Sequence, residues 1–331
     1  MGRFTCLQEG IYRIRLQVRK GVVPFTANLY ALPGDDGLLF DAGFGTRGAI
    51  AHLASALEAI EAEGEGRVRE VMPSHAHWDH FSGVRPIADK RRMRVRLTEK
   101  MVPLIRTKAA FRQAYLADFK ETPGGSALKK YLGKIPRRLG DEFYAAVMGI
   151  KAVTGPYTPI SVGDCLSLAS GRWEVLAGPG HCDVHVMLWN KERGVLLGGD
   201  NVLADITTWL GPPRSDIDAY ESTLKMIRDL PGLKVIYPAH GGPVEDPIRR
   251  VTDILAHRKK RMDEIRMEVF RAGRRGVSAE GIVSRYYPRI NAFRKGIARG
   301  WIDTTLVYLM REGTLRRYAE NGVWRYQMKD L

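Results

Sequence analysis

Three histidines and an aspartate fall within six residues of the segment VMPSHAHWDHFSGV: His75, His77, Asp79 and His80. Eight histidines serve all 331 residues, so this crowding constrains the fold more than any other feature of the chain. The run VREVM just before it is short, with Val68, Val71 and Met72 as its apolar residues, and reads as a buried strand. The cluster therefore sits at a strand's C-terminal end, where open α/β sheets carry their chemistry.

Neutral imidazole and carboxylate are the donors that borderline divalent ions such as zinc prefer. In a loop leaving a strand, alternate positions point the same way, so His75 and His77 can share one ion. The adjacent Asp79 and His80 can turn toward a second. Each ion needs more ligands, and three candidates each follow a predicted strand: His181 in AGPGHCDVH, Asp200 in LLGGD and His240 in YPAHGGP. Five of the eight histidines thus belong to one set, which chance placement would rarely produce.

The rest of the chain supplies elements to carry them. IYRIRLQV alternates as a half-buried strand, and NLYAL and GLLFDAG follow around the turn PGDDG, so an antiparallel meander is expected first. Apolar positions Ile50, Leu53, Leu57 and Ile60 predict a helix from Gly48 to Ala62. RWEVLAG, HVMLWN and RGVLLGGD read as strands, and a helix at about 216–230 leads to the strand KVIYPAH. This alternation in two halves predicts two sheets flanked by helices. Residues from about 98 to 158 show helical periodicity, many lysines and arginines and a break at TPGGS, and read as an insertion. Beyond Pro243 come a long charged helix (247–271), a helix started by Ser278, a third near 298–312, and a hairpin turning at Asn321-Gly322.

In that order, SHAHWDH, GPGH, GGD and PAHGG resemble the motifs of the metallo-β-lactamase superfamily, over roughly residues 8–245. The resemblance implies an α/β fold, a four-layer αββα sandwich, with a two-metal site between the sheets. It assigns His75, His77 and His181 to one ion, Asp79, His80 and His240 to the other, and Asp200 to a bridge between them. Asp41, in LLFDAG, matches an aspartate that tends to orient a ligand histidine in this family. His185 matches the second histidine of the family's GHxxxH pattern, where a packed core histidine is an equally good reading. The C-terminal module (246–331) resembles the winged-helix appendage of some members, giving a catalytic domain 1–245 followed by a small second domain.

The implied cofactors are two divalent metal ions, with zinc expected and iron or manganese as alternatives, because mixed N/O sites do not discriminate among them. Two cations roughly 3.5–4 Å apart lower the pKa of a shared water from 15.7 toward about 7, giving hydroxide at neutral pH. Asp79 is the candidate to orient that nucleophile and pass its proton on. True β-lactamases of this fold commonly lack the bridging aspartate, whereas glyoxalase II, lactonases and RNA-processing members keep it, which argues against antibiotic hydrolysis. The expected activity is therefore hydrolysis of a small acyl-type substrate (ester, thioester or lactone) in a glyoxalase II-like branch, with β-lactam cleavage at most a minor activity.

Charge raises a rival. The net +15 divides into −2 for residues 1–80, +11 for 81–160, −4 for 161–245 and +10 for 246–331. Two basic segments, including Lys108, Arg112, Lys129, Lys130, Lys134, Arg137 and Arg138, suit an anionic substrate or, in an endoribonuclease, RNA. Against nucleic acid, the third C-terminal helix, GIARGWIDTTLVYLMREG, is apolar and favours packing on the catalytic domain or in a homodimer. A non-enzymatic, metal-tuned interaction protein is a weaker reading, since no ligand position is missing. No apolar run approaches the roughly 18 residues of a membrane helix, the N-terminus has no signal-peptide pattern, and the three cysteines form no framework. A soluble, cytoplasmic protein with no membrane partner is the expectation.

Overall fold

Antiparallel pairing opens the chain, as the alternation predicts. The computed structural model describes residues 4–20, 23–64, 66–115, 145–146 and 149–329. β1 (Thr5–Gln8), β2 (Ile11–Lys20), β3 (Val23–Leu32) and β4 (Gly37–Phe40) pair in order, each antiparallel to the one before. Helical crossovers then change the sense. α1 (Arg47–Glu61), capped by the Thr46 hydroxyl on the Ala49 amide, leads to β5 (Val68–Met72), parallel to β4. After α2 (Trp78–Phe81) and α3 (Val84–Arg91), β6 (Arg94–Leu97) adds parallel to β5, and β7 (Thr158–Pro159) completes a seven-stranded sheet.

The second sheet has the order β12-β11-β10-β9-β8. β8 (Cys165–Leu168), β9 (Gly171–Ala177), β10 (Val186–Asn190) and β11 (Val195–Gly199) are antiparallel neighbours. Between β6 and β7 lie α4 (Val102–Ile105) and α5 (Lys108–Tyr115). α6 (Ile217–Arg228) then carries the chain to β12 (Val235–Pro238), parallel to β11. β1 and β8 carry weak signals and escape the sequence reading.

Side-chain alternation shows how the layers stack, because successive residues of a strand face opposite ways. Val186 and Leu188 of β10, with Val195 and Leu197 of β11, join a core that also contains Ile14, Leu29, Phe40 and Val71 of the first sheet and Leu53 and Leu57 of α1. Their neighbours Met187, Trp189 and Leu196 face a second core with Tyr220, Leu224 and Ile227 of α6. Helix, sheet, sheet, helix is the expected αββα sandwich. Trp173 of β9 is fully buried in the central core, its indole N–H donating to Ser170 Oγ at 3.0 Å. Trp173→Ala is expected to cost about 3–5 kcal/mol of stability, read as the denaturation midpoint at unchanged m-value.

The C-terminal extra domain has helices and a small sheet: α7 (Pro247–Ala272), α8 (Ala279–Tyr286), α9 (Ala292–Arg311) and the hairpin β13 (Leu315–Glu320)–β14 (Val323–Met328). Asn321 and Gly322 both have positive φ (49° and 72°), as the tight hairpin turn requires. Ser278 caps α8 by accepting from the Gly281 amide. α9 starts at Ala292, capped by Asn291, six residues before the expected 298. α7 serves two cores: Val251 and Ile254 pack under the second sheet, whereas Ile265 and Val269 pack with α8, α9 and the hairpin. The expected division at 245/246 falls at the start of this shared helix. Most of the anticipated insertion, with Lys129, Lys130, Lys134, Arg137 and Arg138, lies outside the described residues. Among the described residues no helix is long and apolar enough to cross a membrane.

Candidate metal centre

Each candidate ligand leaves the end of a strand. His75, His77, Asp79 and His80 follow β5, His181 follows β9, Asp200 follows β11 directly, and His240 follows β12. The parallel pairing of β11 with β12 brings Asp200 and His240 to the same sheet end. Ligand atoms of His75, His77, His181 and Asp200 lie within 4.8 Å of one another, and so do those of Asp79, His80 and His240.

One carboxylate lies between the two groups. Asp200 Oδ2 is 3.5 Å from His181 Nε2, while Oδ1 is 3.6 Å from His80 Nε2 and 3.3 Å from His240 Nε2. Asp79 approaches the second group alone, 3.7 Å from His80 Nε2 through Oδ1 and 3.6 Å from His240 Nε2 through Oδ2.

Outward hydrogen bonds fix which nitrogen faces inward. A carbonyl can only accept, so His181 Nδ1 donates to the Trp209 carbonyl (2.8 Å) and His240 Nδ1 to the Thr26 carbonyl (2.6 Å). His80 Nδ1 meets Asp41 Oδ2 at 2.9 Å. The Ser74 hydroxyl donates to Asp41 Oδ2 at 2.9 Å, which leaves its oxygen to accept from His75 Nδ1 at 2.9 Å. Asp41 holds this arrangement in the left-handed region (φ 64°), with the Ser74 amide donating to its Oδ1 at 2.6 Å. Four Nε2 atoms therefore point inward. His77 offers Nδ1, which lies 2.9 Å from both His75 Nε2 and His181 Nε2.

A single proton on His77 Nδ1 can serve only one of these two acceptor nitrogens well, whereas a cation between the three would engage every lone pair. In the other group, His80 Nε2 and Asp200 Oδ1 are shut off from solvent and have no hydrogen-bond partner among the described residues. A buried polar atom without a partner costs roughly 1–3 kcal/mol, so both atoms need something the protein does not supply. Their 3.6 Å separation is too long for a hydrogen bond and suits two donors of one ion. On donor type, tautomer and orphaned atoms the residues fit divalent cations.

Electrostatics favours the metal-binding protonation states of His75, His77, His181 and Asp200, but not of His80. Burial, aided by neighbouring imidazoles, pushes His75 and His77 well below the usual histidine value, and burial lowers His181 also, keeping these rings neutral. Burial would raise the Asp200 carboxyl, but the imidazoles of His240, His80 and His181 outweigh it and hold it well below the usual range. Burial opposes a proton on His80, yet Asp200, Asp41 and Asp79 overcome it and raise that imidazole well above its ordinary value. A cation entering there must displace a proton.

His185 is buried and does not face the cluster. Its Nε2 accepts from the Asp200 amide at 3.1 Å, and its ring stacks on His75 with centroids 4.8 Å apart. It packs as a core residue and also fixes the backbone of Asp200. Sequence reasoning missed Ser74, Thr26, Thr208 and Trp209. Ser74 had a signal, since it adjoins His75; the carbonyls of Thr26 and Trp209 have none, because every residue carries one.

A sandwich whose strands end on such a double cluster of imidazoles and carboxylates defines a metal-dependent hydrolase fold. The chain belongs to the metallo-β-lactamase superfamily, whose family model matches residues 22–240, and it is a metallohydrolase. Among curated relatives it is 26% identical to the Beta-lactamase-like protein 2 homolog of Caenorhabditis elegans, over 73% of this chain and 66% of that protein. It is 23% identical to the Atrochrysone carboxyl ACP thioesterase of Aspergillus fumigatus, over 72% of this chain and 58% of that protein. It thus spans about two thirds or less of these relatives' length. A β-lactamase domain protein from Burkholderia ambifaria superposes with a TM-score of 0.79 at 22% identity, covering 98% of this chain and 93% of that one. The metallo-β-lactamase family protein TTHA1429 from Thermus thermophilus gives 0.73 at 24%, over 98% and 100%. These likenesses show the fold, and they extend over the C-terminal helices and hairpin.

Proposed function

We propose that the chain is a dinuclear metallohydrolase, with zinc as the ion, that cleaves a small acyl-type substrate: an ester, thioester or lactone. The observation that carries this reading is the placement of Asp200, one oxygen toward each histidine group. When bound, two divalent cations would lower the pKa of water toward about 7 and polarise the acyl oxygen.

The chain's own residues would do the rest. His75, His77 and His181 would hold one ion and Asp79, His80 and His240 the other, with Asp200 shared. Trp209 O, Thr26 O, Ser74 and Asp41 hold the imidazoles in place. Asp79 is half-buried and would orient the nucleophile and carry a proton to the leaving group. The thioesterase among the relatives supports the acyl reading, because a thioester is cleaved by the same attack on a carbonyl.

The test has two parts. Elemental analysis of freshly purified protein should find two ions per chain. A hydrolysis screen over esters, thioesters, lactones, β-lactams and RNA should then give its best rate with an acyl substrate, and Asp79→Ala should lower that rate by about 100-fold or more. Equal rates for wild type and Asp79→Ala would refute the role of Asp79. RNA as the best substrate, with affinity falling steeply between about 50 and 200 mM salt, would favour a phosphate-binding nuclease instead.

A further inference from the structure

The segment 201–215, between β11 and α6, forms no regular element, yet it touches two of the proposed metal ligands. Trp209 O accepts from His181 Nδ1 at 2.8 Å. One residue earlier, Thr208 Oγ1 donates to the carbonyl of Asp200, and to that of Asn201 at 3.2 Å. An irregular loop has no ladder to hold its carbonyls still, so something else must fix them.

The C-terminal helices do so. From α7, Arg250 donates through Nε to Leu203 O and through Nη2 to Ile206 O, both at 2.7 Å. Arg258, also on α7, donates through Nη2 to Thr208 O. From α9, Ile297 O accepts the Trp209 indole N–H at 3.1 Å, and a Cβ on Gly300 would lie 2.9 Å from the indole. Arg258 is the unusual member. Its Nε is buried without a partner, its guanidinium lies 5.7 Å from the Tyr220 ring centroid, and it forms no ion pair among the described residues. Enclosing a guanidinium without a carboxylate is costly, so stability alone would favour an apolar residue there.

We propose that Arg258 is a positioning residue through which the C-terminal domain braces the metal centre: it fixes the Thr208–Trp209 peptide so that the Trp209 carbonyl orients His181. The inference rests on the dinuclear reading above. It also assigns the C-terminal helices a mechanical role that requires no nucleic acid.

The brace acts mainly on one of the two proposed metal positions, through His181; the other feels it only through the shared Asp200, whose carbonyl accepts from Thr208 Oγ1. Metal-free protein titrated with zinc alone, in competition with a chromogenic chelator, reads each position separately: a His240→Ala background isolates the group containing His181, and a His181→Ala background isolates the other. Arg258→Met keeps the apolar stem and removes the donor. It should weaken zinc about ten-fold in the first background and by clearly less in the second. Arg258→Lys, which retains a charged donor, should recover part of the loss. If Arg258→Met does not fold, Trp209→Phe removes the Ile297 anchor and should give the same unequal effect. No loss, or equal loss in both backgrounds, overturns the brace. If wild type takes up no zinc, the dinuclear reading fails instead, and amide exchange in metal-free protein decides the brace. Faster exchange over 201–215 in Arg258→Met, with the first sheet unaffected, sustains it; unchanged exchange rejects it.

Discussion

Asp200→Ala is expected to remove most of the hydrolytic activity and to lower the zinc content below two per chain. Among the described residues its carboxylate is the one anionic group that faces both histidine groups, and the neighbouring imidazoles hold it well below the usual carboxylate range. Deleting one partner of a buried, mutually compensating set of charges costs about 3–5 kcal/mol. Here that cost falls on metal binding and corresponds to roughly 10²–10³·⁵ in affinity. Asp200→Asn separates charge from packing, since it keeps shape and one acceptor oxygen but carries no charge; it should resemble the alanine variant in metal content. Elemental analysis beside rates on the best substrate provides the check. Full zinc loading of either variant would remove Asp200 from the bridge.

Stripping the ions should also lower thermal stability by about 10 °C or more. A ligand at 1,000 times its Kd adds roughly 4.1 kcal/mol to the folded state, so two filled sites add about twice that. For a chain somewhat above 250 residues, each kcal/mol corresponds to a shift of roughly 1–4 °C. Removal would also leave His80 Nε2 and Asp200 Oδ1 without hydrogen-bond partners among the described residues. Scanning calorimetry before and after chelation, with zinc added back, reads the effect. A melting temperature indifferent to chelator and to zinc would count against metal at this position.

The candidate ligands were legible in the sequence because histidine is scarce and each follows a strand whose pattern is clear. Asp41 was legible from its place at the end of β4. The partners that orient these ligands were mostly not, since the carbonyls of Thr26 and Trp209 are common to all residue types, and it is tertiary packing that aims them. α9 was read late for a different reason. Gly296 stands just before the expected start, and glycine argues against a helix unless something requires it. At Gly300 the requirement is contact with Trp209, a residue 91 positions earlier in the chain. β1 and β8 are four-residue strands, too short for their alternation to stand out.

α7 lends one end to the sandwich and the other to the C-terminal core. A truncation anywhere along that rod would therefore strip an apolar stripe from whichever half is kept, and freshly bared sheet or helix surface of that kind promotes aggregation. The appended helices are thus not a detachable accessory. A gene encoding the first 245 residues by themselves would yield a protein lacking a wall of its own interior.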